Sequence, residues 1–142
     1  MFNFETLDVW QEAIVFADLV YDVTATFPND ERFGLTSQMR GAAISISSNL
    51  AEGSSRASRI DFGRFVEIAA GSLFEVLSQA TIALRRKMIG RNEYNPIYAA
   101  AEKQSKMLSG LRKSLSEPSS QQRTLNGLIM RGRRRGRRGE AE

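Results

Sequence analysis

The sequence predicts an all-α protein: an antiparallel, up-down-up-down four-helix bundle followed by a basic, flexible C-terminal tail. Two observations carry this prediction. Apolar residues recur at helical spacing in four consecutive segments. Short breaks rich in Pro, Gly, Asn or Ser separate the segments, and short connections favour antiparallel neighbours. The composition, 42% hydrophobic and 25% charged in 142 residues, suits a globular protein, and we expect the bundle over residues 1–115 and the tail over 116–142.

The first helix is predicted over residues 7–26, with Thr6 as its N-cap. Its apolar positions cover about half of the helix circumference, which exceeds the stripe of an ordinary surface helix. Trp10 lies in this wide arc and has two interpretations, a subunit contact or a plain core tryptophan. The Phe27-Pro28 pair ends the helix because proline lacks a backbone donor.

The second helix, predicted over residues 34–52, carries two adjacent stripes. The apolar stripe contains Leu35, Met39, Ala43, Ile46 and Leu50. The polar or small stripe contains Gln38, Ala42, Ser45, Asn49 and Glu52. Small residues admit a close neighbour and buried amides need partners, so we expect packing on two sides of this helix. We expect Gly53 to end the helix as the residue after its C-cap.

Asn49 and Glu52 are the polar residues of this helix that invite a functional interpretation. One interpretation is contact with a ligand or with nucleic acid. The other, which we favour, is a buried hydrogen-bond layer that fixes the helix register or the pairing of subunits.

The third helix is predicted over residues 59–88, with Ser58 as N-cap and Asp61 completing a weak capping box. One face is apolar along its whole length and forms the strongest core signal in the chain. The opposite face is predicted to form an oligomer interface because it carries large apolar side chains around a glycine. Its members are Ile68, Gly71, Phe74, Glu75 and Ile82.

A basic cluster of Arg85, Arg86, Lys87 and Arg91 follows the third helix. These cations complement the helix dipole, or they bind phosphate groups of a nucleic acid. The fourth helix is predicted to have Asn95 as its N-cap and Pro96 in its first position, although Asn92 could start it earlier. Its apolar stripe from residue 97 to residue 115 is typical of a bundle seam.

The positive charge of the chain belongs to the tail. Residues 1–115 hold 13 Lys or Arg and 13 Asp or Glu, whereas residues 116–142 hold seven Arg and three Glu. Residues 124–130 suit a short helix, and an alternating Arg and Gly run follows. Such a run can track a phosphate backbone, or it is only a solvated tail. The predicted nucleic-acid contacts in the tail are Arg131, Arg133, Arg134, Arg135, Arg137 and Arg138.

The sequence lacks the residues and motifs that several kinds of catalytic or metal site require. The chain has no cysteine and no histidine, which removes thiol chemistry and the usual ligands of a di-iron site in a helical bundle. No phosphate-binding glycine loop or nucleophile elbow is present. No basic and apolar leader and no long apolar run marks the chain. We therefore expect a non-enzymatic cytoplasmic protein with no cofactor, no metal and no membrane partner.

Four separated blocks resemble the 23S rRNA-intervening-sequence protein family, over about residues 4–115. The blocks are QMRGAAISISSNLAEGSSR at 38–56, the opening at 4–13, residues 27–38, and GSLFE at 71–75. The resemblance implies a helical bundle that assembles as a ring-like homopentamer, with no known catalytic activity. Two departures stand out: the proline often found within the Ser-Ile-x-x-Asn segment is absent, and the tail has no family counterpart.

The resemblance also implies possible partners. The distantly similar accessory protein of diversity-generating retroelements binds nucleic acid and a reverse transcriptase. We therefore expect a homo-oligomeric scaffold that binds RNA or DNA, or a nucleic-acid enzyme. Two alternatives stay open: an accessory subunit of a reverse transcriptase, and a small-ligand-binding bundle that uses Asn49 and Glu52.

Overall fold

The computed structural model describes residues 1–117 and 124–131, and over these ranges the chain is helical without a strand. The all-α prediction is thus confirmed. Two short 3₁₀ turns, at Asn3–Thr6 and Asn29–Glu31, accompany the α-helices. The helices are α1 at Asp8–Thr24, α2 at Leu35–Ser54, α3 at Arg59–Arg85, α4 at Arg91–Ser116 and α5 at 124–131.

The first four helices enclose a common core. Helix α2 packs against α1 and α3, and α4 packs against α3 and α1. Four of the five residues of the apolar stripe predicted for α2 are fully buried in this core: Met39, Ala43, Ile46 and Leu50. The fifth, Leu35, is the first residue of the helix and is only partly buried. The other helices contribute the predicted positions of their own stripes, among them Phe16, Val20, Val66, Leu73, Val76, Ile97 and Leu108. Periodicity alone therefore identified the residues that hold the bundle together.

The start of α1 differs from the prediction. Thr6 is not the N-cap, because its hydroxyl donates to the Asn3 carbonyl at 2.8 Å inside the preceding 3₁₀ turn. Leu7 takes the N-cap position without a side-chain hydrogen bond, and the helix ends at Thr24, two residues earlier than expected. The 3₁₀ turn replaces the side-chain cap by ordering the chain before the helix.

The role of Gly53 also differs from the prediction. Gly53 lies inside α2 and is buried, and no glycine within the described ranges has a positive φ. A Cβ atom at Gly53 would lie 2.7 Å from Phe65 Cβ and 3.1 Å from Phe62 Cδ1 of α3. The close approach of α3, and not a left-handed cap, is therefore what requires glycine here.

Helix α3 begins as predicted, since Ser58 Oγ accepts a hydrogen bond from the Asp61 amide at 2.9 Å. It ends at Arg85, three residues before the predicted end. Its length and apolar composition would let it cross a membrane, as no other helix in the described ranges would. A core helix of a bundle has the same properties, and Val66, Leu73 and Val76 are buried against the other helices.

Helix α4 begins earlier than either predicted start. Gly90 is its N-cap residue, and the Glu93 carboxylate accepts a hydrogen bond from the Gly90 amide at 2.9 Å. Pro96 consequently lies within the helix and not at its first position. The hydrogen bond at Glu93 identifies this start. Pro96 is the sixth residue of the helix, where it lacks the amide that would donate to the Asn92 carbonyl, so the Asn95-Pro96 signal was misleading here.

Candidate functional site

The turn between α3 and α4 brings the predicted basic cluster together. Arg85, Arg86, Lys87 and Arg91 are all exposed. Within residues 1–117 none of the four takes part in an ion pair. The Arg91 guanidinium lies over the Tyr94 ring, 5.7 Å from its centroid. Four unpaired cations within one turn form a local positive surface that suits phosphate groups.

Lys87 has a backbone conformation that glycine usually supplies. Its φ is 60°, in the left-handed region. The Lys87 amide donates to the Leu84 carbonyl at 3.1 Å and the Met88 amide donates to the Ala83 carbonyl at 2.9 Å. These two bonds form a Schellman motif, where glycine is the preferred residue after the C-cap. Nothing in the sequence marks this feature, because lysine has no preference for the left-handed region and the nearest glycine is Gly90.

The outer face of α3 is apolar and open, as its composition predicted. Ile68, Phe74 and Ile82 are 52%, 61% and 49% exposed. Gly71 and Glu75 lie exposed among them, and no atom of another residue lies within 4 Å of a Cβ placed on Gly71. Neither a side chain nor a close backbone therefore explains Gly71 within one copy of the chain.

The open apolar surface is larger than the sequence suggested. Ile60, the second residue of α3, is also exposed. A groove of about 290 Å³ runs between Phe74 and α4, with Tyr98 and Lys106 among its lining residues. Tyr98 is separated from Phe74 by the whole α3–α4 turn, so only the folded structure shows that they share this groove.

The polar stripe of α2 forms a small hydrogen-bond layer against α3. Asn49 Nδ2 donates to the Ser45 carbonyl at 2.8 Å and to Ser45 Oγ at 2.9 Å. Ser72 Oγ, on α3, donates to Ser45 Oγ at 2.9 Å. The layer therefore joins two helices of the same chain, and Ser45 and Asn49 are partly buried in it.

The remaining predicted positions lie apart from this layer. Glu52 is exposed and pairs with Arg56 at 3.0 Å. Gln38 is exposed near the start of α2. Trp10 is half-buried against the core and meets the Phe4 ring edge-on, with 4.9 Å between centroids. The structure thus brings Ser45 and Asn49 together, and it does not bring Glu52 into a site with them.

Of the six arginines predicted to contact nucleic acid in the tail, only Arg131 lies within the described residues. Helix α5 exposes Leu125, Leu128, Ile129 and Met130, and Arg131 at its end is exposed too. The other five predicted arginines of the tail, Arg133, Arg134, Arg135, Arg137 and Arg138, lie outside the described residues.

Carboxylates do not gather into a metal site in the part of the chain that the structure describes. Glu67 and Glu75 are both exposed on α3, and Glu67 pairs with Arg112 of α4.

Together, the fold and these surfaces define a small all-helical protein with exposed apolar side chains along α3 and a basic turn after it. The chain belongs to the family of 23S rRNA-intervening sequence proteins, whose family model matches residues 5–110. A similar solved structure is a protein of unknown function from the S23 ribosomal protein family of Bacteroides thetaiotaomicron. It is 24% identical, with a TM-score of 0.69, and the match covers 74% of this chain and 98% of the other. No curated protein matches the chain.

Proposed function

We propose that this protein is a non-enzymatic, homo-oligomeric helical scaffold that acts by binding nucleic acid in the cytoplasm. The observation that carries the proposal is the outer face of α3, where Ile68, Phe74 and Ile82 are about half exposed. Large apolar side chains exposed on one face of a helix favour association with another protein surface. A second copy of the chain is the partner that the family resemblance favours, with five copies in a ring.

We infer that the four helices run up-down-up-down. The start of α3 meets the end of α4, where the Arg59 guanidinium donates to the Ser114 carbonyl. The end of α3 meets the start of α4, where the hydroxyls of Thr81 and Tyr94 lie 3.4 Å apart. Helix α1 contacts the middle of α4, where Gln104 Nε2 donates to the Val9 carbonyl at 3.1 Å.

This arrangement separates the two basic elements of the chain. The cluster at residues 85–91 lies at one end of the bundle, and α4 ends at Ser116 at the other end. A ring of parallel copies would therefore repeat a positive turn around one rim and release its Arg-rich tails from the other. Repetition raises the effective concentration of binding sites, so individually weak phosphate contacts would add up to useful affinity.

Two measurements on the full chain test the proposal. Size-exclusion chromatography with light scattering should give a mass several times that of one chain at micromolar concentration. Titration of a fluorescent single-stranded RNA should give binding that weakens steeply as salt rises. A monomer would contradict the scaffold, and salt-independent or absent binding would contradict the nucleic-acid role.

A further inference from the structure

The outer face of α1 is acidic and partly apolar. Residues 1–31 contain seven Asp or Glu and no Lys or Arg. On α1 itself, Asp8, Asp18 and Asp22 are exposed, and none of them has an ion-pair partner within the described ranges. Beside them Ile14 and Val15 are exposed, Val15 by 60%. This face combines a small apolar patch with uncompensated negative charge.

Helix α5 has the complementary character. Leu125, Leu128 and Ile129 follow the i, i+3, i+4 spacing that places side chains on one side of a helix. Each of the three is more than half exposed. An isolated helix of fewer than about 12 residues is marginal in water, and α5 has only eight residues. A surface that covers its apolar side would therefore stabilise it.

The charge of the C-terminal segment indicates which exposed apolar face, that of α1 or that of α3, suits it better as a docking surface. Six arginines lie between residues 131 and 138, at the end of α5 and just beyond it. On the outer face of α3 the charges roughly balance, since Arg64 pairs with Asp61 and the exposed Glu75 offsets Arg85, so this face offers the segment no net attraction.

The outer face of α1 carries three aspartates that are unpaired within the described ranges and no Lys or Arg of its own helix, and a cation of another helix, Arg40 of α2, lies over the Tyr21 ring at its edge. Its excess of negative charge suits an apolar helix followed by arginines.

We propose that the C-terminal segment 124–139 of one copy docks on the outer face of α1 of a second copy. The apolar side of α5 covers Ile14 and Val15, and the arginines face the exposed aspartates. The second copy supplies the surface because every residue of α5 is exposed in its own chain. The inference rests on the proposed self-association, and it means that nucleic acid competes with α1 for the same arginines.

Disulfide trapping tests this contact. The chain has no cysteine of its own, so only the introduced cysteines can form a crosslink. Full-length Val15→Cys and full-length Leu128→Cys, one of them tagged, are mixed and oxidised mildly. A disulfide-linked pair of the two different chains is the expected product. The control replaces Val15→Cys with Ser48→Cys, a position on α2 that is also exposed. Crosslinking should be several-fold faster with Val15→Cys than with Ser48→Cys.

Two further readouts identify the cause of the contact. Asp18→Asn with Asp22→Asn, added to the Val15→Cys chain, should slow crosslinking several-fold. So should about 1 M salt, where the Debye length is about 3 Å. Equal rates for Val15→Cys and Ser48→Cys would overturn the docking. A link that forms only within a single chain carrying both Val15→Cys and Leu128→Cys would also overturn it.

Light scattering on the same samples separates this failure from failure of the proposed function. An oligomer without the specific crosslink overturns the docking of the tail and leaves the scaffold intact. A monomeric mixture overturns both.

Discussion

Gly53 of α2 and Phe65 of α3 meet so closely that a Cβ atom on Gly53 would lie 2.7 Å from the Cβ of Phe65. We predict that Gly53→Ala destabilises the fold, because neither backbone can move away without disturbing the core. Overpacking of this kind costs roughly 1–3 kcal/mol, which outweighs the gain of about 1 kcal/mol for alanine over glycine in a helix. Chemical denaturation measures the difference, and a Gly53→Ala variant as stable as the parent would show that the contact is looser than described.

Gly71 is the matched control, because no other residue approaches its Cβ position within 4 Å in one chain. We predict that Gly71→Ala raises the stability of a single subunit by up to about 1 kcal/mol through helix propensity. A Gly71→Ala loss as large as that of Gly53→Ala would mean that a second copy packs directly against Gly71. Denaturation at several protein concentrations separates the two cases, because only an assembly contact depends on concentration.

Charge on the outer face of α3 should block self-association. We predict that Ile68→Glu combined with Phe74→Glu gives a folded monomer, since both side chains are exposed in the single chain and are needed only for association. Circular dichroism checks the fold and light scattering checks the mass. The control is Ile44→Glu on α2, where isoleucine is 43% exposed. An Ile44→Glu variant that dissociates while the α3 variant stays assembled would place the interface on α2 instead.

Lys87 offers a test in which stability and binding change in opposite directions. Its left-handed conformation costs a non-glycine residue about 1–2 kcal/mol, so Lys87→Gly should stabilise the protein by about 1 kcal/mol. The same change removes a cation, and it should lower the salt slope of RNA binding by about 1 if Lys87 contacts phosphate. Lys87→Ala is the control that removes the charge and keeps the strain. Unchanged RNA affinity in both variants would remove the turn from the binding surface.

The tail should supply most of the affinity for nucleic acid at low salt. We predict that truncation after Glu117 weakens binding of single-stranded RNA sharply, because six of the predicted phosphate contacts lie beyond this point. Fluorescence anisotropy at two salt concentrations measures the loss, and thermal unfolding of the truncated chain confirms that the bundle persists. Equal affinity before and after truncation would assign binding to the bundle alone.

The spacing of apolar residues was sufficient to predict which face of a single helix is buried and which is exposed. The spacing of Met39, Ala43, Ile46 and Leu50 identified a buried stripe, and all four are fully buried. The Ser58 N-cap was equally local, since it needs only the amide of Asp61 three residues away. Exposure of Ile68, Phe74 and Ile82 followed from the same reasoning applied to the opposite face.

Features that depend on contacts between two helices could not be predicted from the sequence. Gly53 resembled a helix terminator because its packing partner Phe65 belongs to another helix. The groove between Phe74 and Tyr98 forms only when α3 and α4 lie side by side. Lys87 was unpredictable for a different reason: the left-handed conformation is imposed by the hydrogen bonds that end α3, and lysine has no preference for it.

The mass of the full chain in solution is the most direct measurement of the central claim, that the outer face of α3 is covered by another copy. Light scattering at micromolar concentration should give an oligomer, with the mass of five copies as the specific expectation, and the Ile68→Glu, Phe74→Glu variant should give a monomer. A parent protein of 15.9 kDa at every concentration would contradict the claim.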